Sequence, residues 1–130
     1  MLFRSLSEHV KIVLDVNHYW IHQGEYMSSQ DARLKQVIGS WRGARPELHV
    51  SFPDETILAG HDAHVLPNLA LLEAQGIRKN RLRAHSQDAW NTAIMKYAHE
   101  FWDRFDICFE GKSKNLASKK LLNFFNDINK

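Results

Sequence analysis

Four times along this chain a short apolar run ends on a polar residue able to bind a metal ion or move a proton. In KIVLDVNHYW the run through Ile12, Val13 and Leu14 stops as Asp15 and His18 arrive three positions apart. ELHVS delivers His49, RLRAHS delivers His85, and RFDICFE ends on Glu110. Unbroken runs such as the first predict strands of a parallel sheet, where burial on both faces removes the apolar-polar alternation. Between the strands the apolar spacing turns helical. Met1 to Val10 predicts a short amphipathic helix, and HQGEYMSSQD after Trp20 predicts a loop. Ser28, Ser29 or Asp31 is placed to cap a helix reaching about Ser40, with Leu34, Val37, Ile38 and Trp41 on one face. Gly43 and Pro46 break that helix, and SFPDETILAGHDAHV predicts a long irregular segment. Pro67 opens PNLALLEAQ and Gly76 closes it. NTAIMKYAHEFW presents Ala93, Met95, Tyr97, Ala98, Phe101 and Trp102 on a broad apolar face. The closing helix, SKNLASKKLLNFFNDI, turns Leu116, Leu121, Leu122, Phe124 and Phe125 inward.

Strands alternating with helices in this order predict an α/β fold of four consecutive βα units with parallel strands. A doubly wound sheet and a piece of a barrel both satisfy that pattern. Asp15, His49, His85 and Glu110 are separated by 34, 36 and 25 positions, against about 31 residues per unit of a (β/α)8 barrel. No glycine-rich phosphate loop follows the first strand, which weakens the dinucleotide-binding alternative. The expectation is half of a TIM barrel, with residues 1–130 as a single partial domain. Its first and last strands would be unpaired edges beside a half-covered inner face. Self-pairing into a homodimer, docking onto a missing N-terminal half-barrel, or poor solubility follows from that picture.

Composition narrows the picture only modestly. The 130 residues are 44% hydrophobic, enough to bury a core without staples. Seventeen basic against 15 acidic residues give a formal charge of +2, which neither demands nor excludes a nucleic-acid partner. The one cysteine, Cys108, sits in an apolar run and reads as a buried thiol in a reducing compartment. No long apolar run marks a signal peptide or membrane span, so the expectation is a soluble cytoplasmic protein without a membrane partner.

Barrel enzymes place their catalytic groups at the carboxyl ends of several different strands. Imidazoles mixed with carboxylates, without thiolates, suit Zn, Mn or Fe better than Ca or Mg. Taken singly, each of these histidines reads as a hydrogen-bonded core or rim residue; their convergence makes the case for a metal site. Tyr19, Trp20 and Trp41 read as packing, with base stacking as the alternative.

The succession DVNH, LHVS, RAHS and DICFEGKSK resembles the C-terminal half of the UV damage endonuclease family, within the endonuclease IV and xylose isomerase-like barrel superfamily. The resemblance runs from about Ile12 to Leu122 and implies metal ligation by Asp15, His18, His49, His85 and Glu110. It further implies Mn or Zn as the divalent metal ions, DNA as partner, and metal-dependent phosphodiester hydrolysis in DNA repair. Glu110 and Lys112 take catalytic places in that scheme, and Lys112, Lys114 and Arg42 meet the phosphate backbone. Several departures stand out. Glu47 replaces a lysine two positions before His49, EGKSK keeps Glu110, Lys112 and Lys114 but changes a small residue, and Asp88 has no counterpart. His61 and His64 fall in what reads as a variable insertion, and the N-terminal half of the family's barrel has no counterpart in these residues. Two alternatives stay open: a sugar isomerase or epimerase of the same superfamily, and a non-catalytic half-barrel.

Overall fold

The computed structural model describes residues 11–58, 60–86, 89–110 and 114–128, with side chains in the last stretch from 119 onward. The helix expected over Met1 to Val10, the side chain of Leu116, and Asp88 lie outside the described residues. Among the described residues three short strands form an open parallel sheet in sequence order: β1 (Leu14–Asp15), β2 (Glu47–Val50) and β3 (Asp106–Phe109). Leu14 and Asp15 pair with Leu48 and His49, while Glu47, Leu48, His49 and Val50 pair with Asp106, Ile107, Cys108 and Phe109. Among the described residues the helices are α1 (Val16–Gln23), α2 (Leu34–Ser40), α3 (Leu69–Ala74), α4 (Thr92–His99) and α5 (Lys114–Ile128). The protein is therefore a mixed α/β structure around a parallel sheet, as the alternation of patterns predicts. None of its described helices is long and apolar enough to cross a membrane.

Local sequence sets the helix ends. Asn68 and Asn91 sit in extended backbone and accept from the amides of Leu71 and Ile94, the side-chain caps that start α3 and α4. Gly76, at φ 89°, takes the left-handed conformation just beyond α3, where a Cβ would be strained. Pro67, expected at the first helical position of α3, lies just outside it. In α2 the expected face is seen: Leu34 and Val37 are buried, with Ile38 packed beside the core.

Two expectations about the elements are corrected. Between Asp15 and the expected loop the chain forms α1, capped by the Asp15 carboxylate accepting from the amide of His18 at 2.9 Å and ended by Gly24 at φ 80°; of the loop stretch only His22 and Gln23 are helical. RLRAHS forms no strand of the parallel sheet. Residues 79–83 are turns, and His85 makes only an isolated antiparallel bridge to Pro53, flanked by Asp54 N–H to Ala84 O and Ser86 N–H to Phe52 O. The edge of β2 that this segment would need is occupied by β3, whose pairing is extended at both ends by Asp106 N–H to Pro46 O and Glu110 N–H to Val50 O. Pro53, lacking an N–H, limits any longer ladder at the bridge.

The larger of two hydrophobic clusters packs against one side of the sheet. Leu14, Leu48, Val50 and Phe109 are buried together with Val16 of α1, Val37 of α2, Ile94, Met95 and Ala98 of α4, and Leu121 and Phe125 of α5. Parallel sheets normally bury both faces. Here the other face stays half open, and it is polar.

Candidate metal centre

Residues one position out of phase with the buried set occupy the open face. Register puts Asp15, His49 and Cys108 in one row across the three strands, with adjacent backbones about 4.8 Å apart. Glu47 precedes His49 on the same face of β2, and Glu110 follows β3. His49 sits between two carboxylates: Nδ1 shares a short hydrogen bond with Glu110 Oε1, and Nε2 lies 3.5 Å from Glu47 Oε2. His49 and Glu110 keep 28% and 33% side-chain exposure, so solvent reaches the pair. One ligand atom each from Glu47, His49 and Cys108 lie within 4.8 Å of one another. Burial first, then the nearby carboxylates of Glu47, Asp106 and Glu110, push the Cys108 thiol above its ordinary pKa.

The expected ligands separate into three groups. His49 and Glu110 are brought into contact and share a hydrogen bond. Asp15 stands level with His49 but spends a carboxylate oxygen as the cap of α1, while His18 is exposed on that helix with its ring 4.4 Å from that of His22. His85, opposite Pro53, is not part of the Glu47–His49–Cys108 cluster. Asp15 and His18, read by residue type as ligands, thus have a local structural reason for their spacing, a helix cap and its first turn.

The phosphate-contact expectations fare differently. Lys112 lies outside the described residues, and of Lys114 only the backbone is described, as the first residue of α5. Arg42 is in the turn that leads into the amino end of β2, away from the strand ends that carry Asp15 and Glu110, with φ at 52°. Arg45, also among the basic residues near the strands, pairs with Asp106 at 2.8 Å and donates to the carbonyls of Trp102 and Phe105. His61 and His64 belong to the attachment of α4. His64 Nδ1 lies 2.7 Å from Thr92 Oγ1, and the His61 ring meets Trp90 edge-on. Tyr19 and Trp20 are buried and pack, while Trp41 donates from Nε1 to Ile12 O at 2.8 Å.

Two members of the cluster escape a reading by residue type. Cys108 is not a buried core thiol but half exposed on the polar face. Glu47 looked only like a departure at its position. The signal for both was available: alternation within ELHV and DICF puts Glu47 with His49 and Asp106 with Cys108. Aligning the strands needs tertiary contacts.

The donor set fits a transition-metal ion. A tetrahedral ion about 2.1 Å from nitrogen and oxygen donors holds them about 3.4 Å apart, close to the 3.5 Å between His49 Nε2 and Glu47 Oε2. No family model matches the chain, and neither a curated protein nor a solved structure matches it.

Proposed function

We propose that this chain carries the metal centre of a divalent-metal-dependent phosphodiesterase of the DNA repair endonuclease type. The observation that carries the reading is His49 held between Glu110 and Glu47 on the solvent-facing side of a parallel sheet, with Asp15 in its row. When bound, a divalent ion there supplies an acidified water and neutralises charge growing on a phosphoryl oxygen. Glu110 fixes the ring of His49 through Nδ1, which leaves Nε2 turned toward Glu47. Asp15 anchors α1 at the rim by capping it. The half-open face leaves room for a phosphodiester beside these groups.

We also take the three strands as a segment of barrel wall, in which helices cover the apolar outside and the polar face looks inward. Supporting this are the consecutive order β1-β2-β3 and the location of the helical core residues with Leu48 and Val50. Such a wall needs further strands, from a second copy of the chain or a separate barrel half. Beside the edge of β3 an apolar groove of about 370 Å³, lined by Trp102, Ile107, Leu122 and Phe125, offers surface for that association.

The test is nicking of ultraviolet-irradiated plasmid by the purified chain with Mn, Zn or Co, run beside ketose turnover and with the oligomeric state measured by sedimentation. Metal-dependent nicking, lost on His49→Ala, is expected. Turnover of ketoses without nicking would move the reading to a sugar isomerase. Metal binding with neither activity would leave a non-catalytic module.

A further inference from the structure

We infer that Cys108 is itself a metal ligand: Glu47, His49 Nε2 and the Cys108 thiolate form a three-donor site for an ion of the zinc and cobalt class. The fourth coordination position then faces solvent. This rests on the metal centre of the proposed function, but not on phosphodiester cleavage.

Three features of the geometry converge on it. First, Cys108 is the register partner of His49, and in-register residues of neighbouring parallel strands project from the same face. Rigid backbone, not a flexible loop, therefore holds the sulfur beside the imidazole. Second, one donor atom from each of Glu47, His49 and Cys108 lies within 4.8 Å of the other two. A tetrahedral zinc ion, with bonds of about 2.3 Å to sulfur and 2.0–2.2 Å to nitrogen and oxygen, needs separations of about 3.4–3.7 Å. The His49–Glu47 pair already stands at 3.5 Å, and small side-chain rotations close the rest. Third, the Glu110 carboxylate accepts from Nδ1–H, which holds the ring proton on Nδ1 and leaves the Nε2 lone pair for an ion. A carboxylate behind a histidine in this way is the usual outer partner of a metal-binding imidazole.

The charges also balance. A thiolate and a carboxylate against a divalent cation give a neutral centre, suited to half-buried surroundings where an unpaired charge would be costly. Sulfur decides among the metals, because soft thiolate favours zinc and cobalt and disfavours manganese and magnesium. Residue types alone leave Zn and Mn level, since nothing in the order of the chain puts Cys108 beside His49. With Asp15 engaged on the amide of His18, three protein donors and one open position remain, the arrangement that admits water or substrate.

Cobalt titration of the metal-free chain tests this directly. The expected result is one equivalent bound with a near-ultraviolet thiolate-to-cobalt charge-transfer band and the intense visible bands of four-coordinate cobalt. Zinc displaces it, and manganese and magnesium do not. Cys108→Ser removes the charge-transfer band and weakens binding at least about ten-fold, while Glu47→Gln weakens binding and keeps the band. Cys108 is the one cysteine of the chain, so alkylation of the unsubstituted protein gives a readout independent of any variant's folding. Saturating zinc slows that alkylation at least about ten-fold if sulfur is a ligand. One equivalent of cobalt without the band, or alkylation indifferent to zinc, overturns the thiolate ligand while leaving phosphodiesterase chemistry on His49 and the carboxylates standing. The band without any nicking upholds the site and overturns the proposed function. Failure to bind cobalt or zinc at all overturns both.

Discussion

On β2, Leu48 and Val50 are fully buried in the cluster that holds Ile94 and Ala98 of α4, while Glu47 and His49, each one residue away, stay half exposed. β3 repeats the contrast, with Phe109 buried and Cys108 on the polar side. The period of two in a strand lets the same four residues build a core and a ligand cluster without competing for space. On the proposed reading, stability and metal binding are separable here by face. A substitution on the apolar side should act on folding and reach the ion only through unfolding, whereas one on the polar side should do the reverse.

The largest effect that can break this comparison is on the apolar side. Leu48→Ala leaves a cavity between sheet and helices and should cost about 2–5 kcal/mol in denaturant unfolding. A loss below about 1 kcal/mol would mean that this face is not the core. On the opposite side, His49→Ala should cut zinc or cobalt affinity at least about ten-fold, or about 1.4 kcal/mol. Its unfolding free energy should stay within about 1 kcal/mol of the parent, because the ring is part exposed. Calorimetric titration and denaturation on the same sample make the separation quantitative.

Asp15 lies where the two roles meet, and a pair of substitutions sharpens its assignment. Asp15→Ala removes the cap of α1 and should cost about 1 kcal/mol, while Asp15→Asn keeps a capping oxygen and should restore most of it. If Asp15→Asn instead keeps stability and loses metal affinity, Asp15 is a ligand as its row position allows.

The smallest effects concern pH. Tyr26 stacks on Trp20, its hydroxyl is buried without a hydrogen-bond partner among the described residues, and burial, then the neighbouring Tyr97, raises its pKa well above the usual tyrosine value of 10.0. Burial likewise raises Tyr97, whose hydroxyl donates to Met27 O at 2.5 Å. An acid whose pKa is higher folded than unfolded stabilises the fold below the unfolded pKa and loses that contribution as pH climbs past it. Stability should therefore fall above about pH 10. Tyr26→Phe should leave neutral-pH stability within about 1 kcal/mol and move alkaline unfolding upward. Hydrogen bonds from Arg33, chiefly its side chain, hold Asp31 down to about 2, from 3.8. That contribution is present above the unfolded value and fades as acid titration approaches pH 2.

Elements set by near neighbours were legible beforehand. The Gly76 stop and the Leu34–Val37 stripe each act within a few residues, and the apolar runs at ELHV and DICF marked two of the three described strands. Residue type underdetermines the structure where one side chain serves two chemistries. An aspartate followed three residues later by a histidine is written the same way whether it holds an ion or caps a helix, and at Asp15 the cap is what forms. Likewise RLRAHS has the composition of a strand, but a strand exists only where a partner edge is free, and β3 has taken the edge of β2.

By itself, then, the amino-acid order determined most of the helices, the parallel habit of the strands and the presence of His49 and Glu110 at strand ends, because those depend on spacing along the chain. Which strand lies beside which is a matter of competition among distant segments for hydrogen-bonding edges and apolar cover. That competition, settled only in three dimensions, set Cys108 across from His49 and put Glu110 behind its ring.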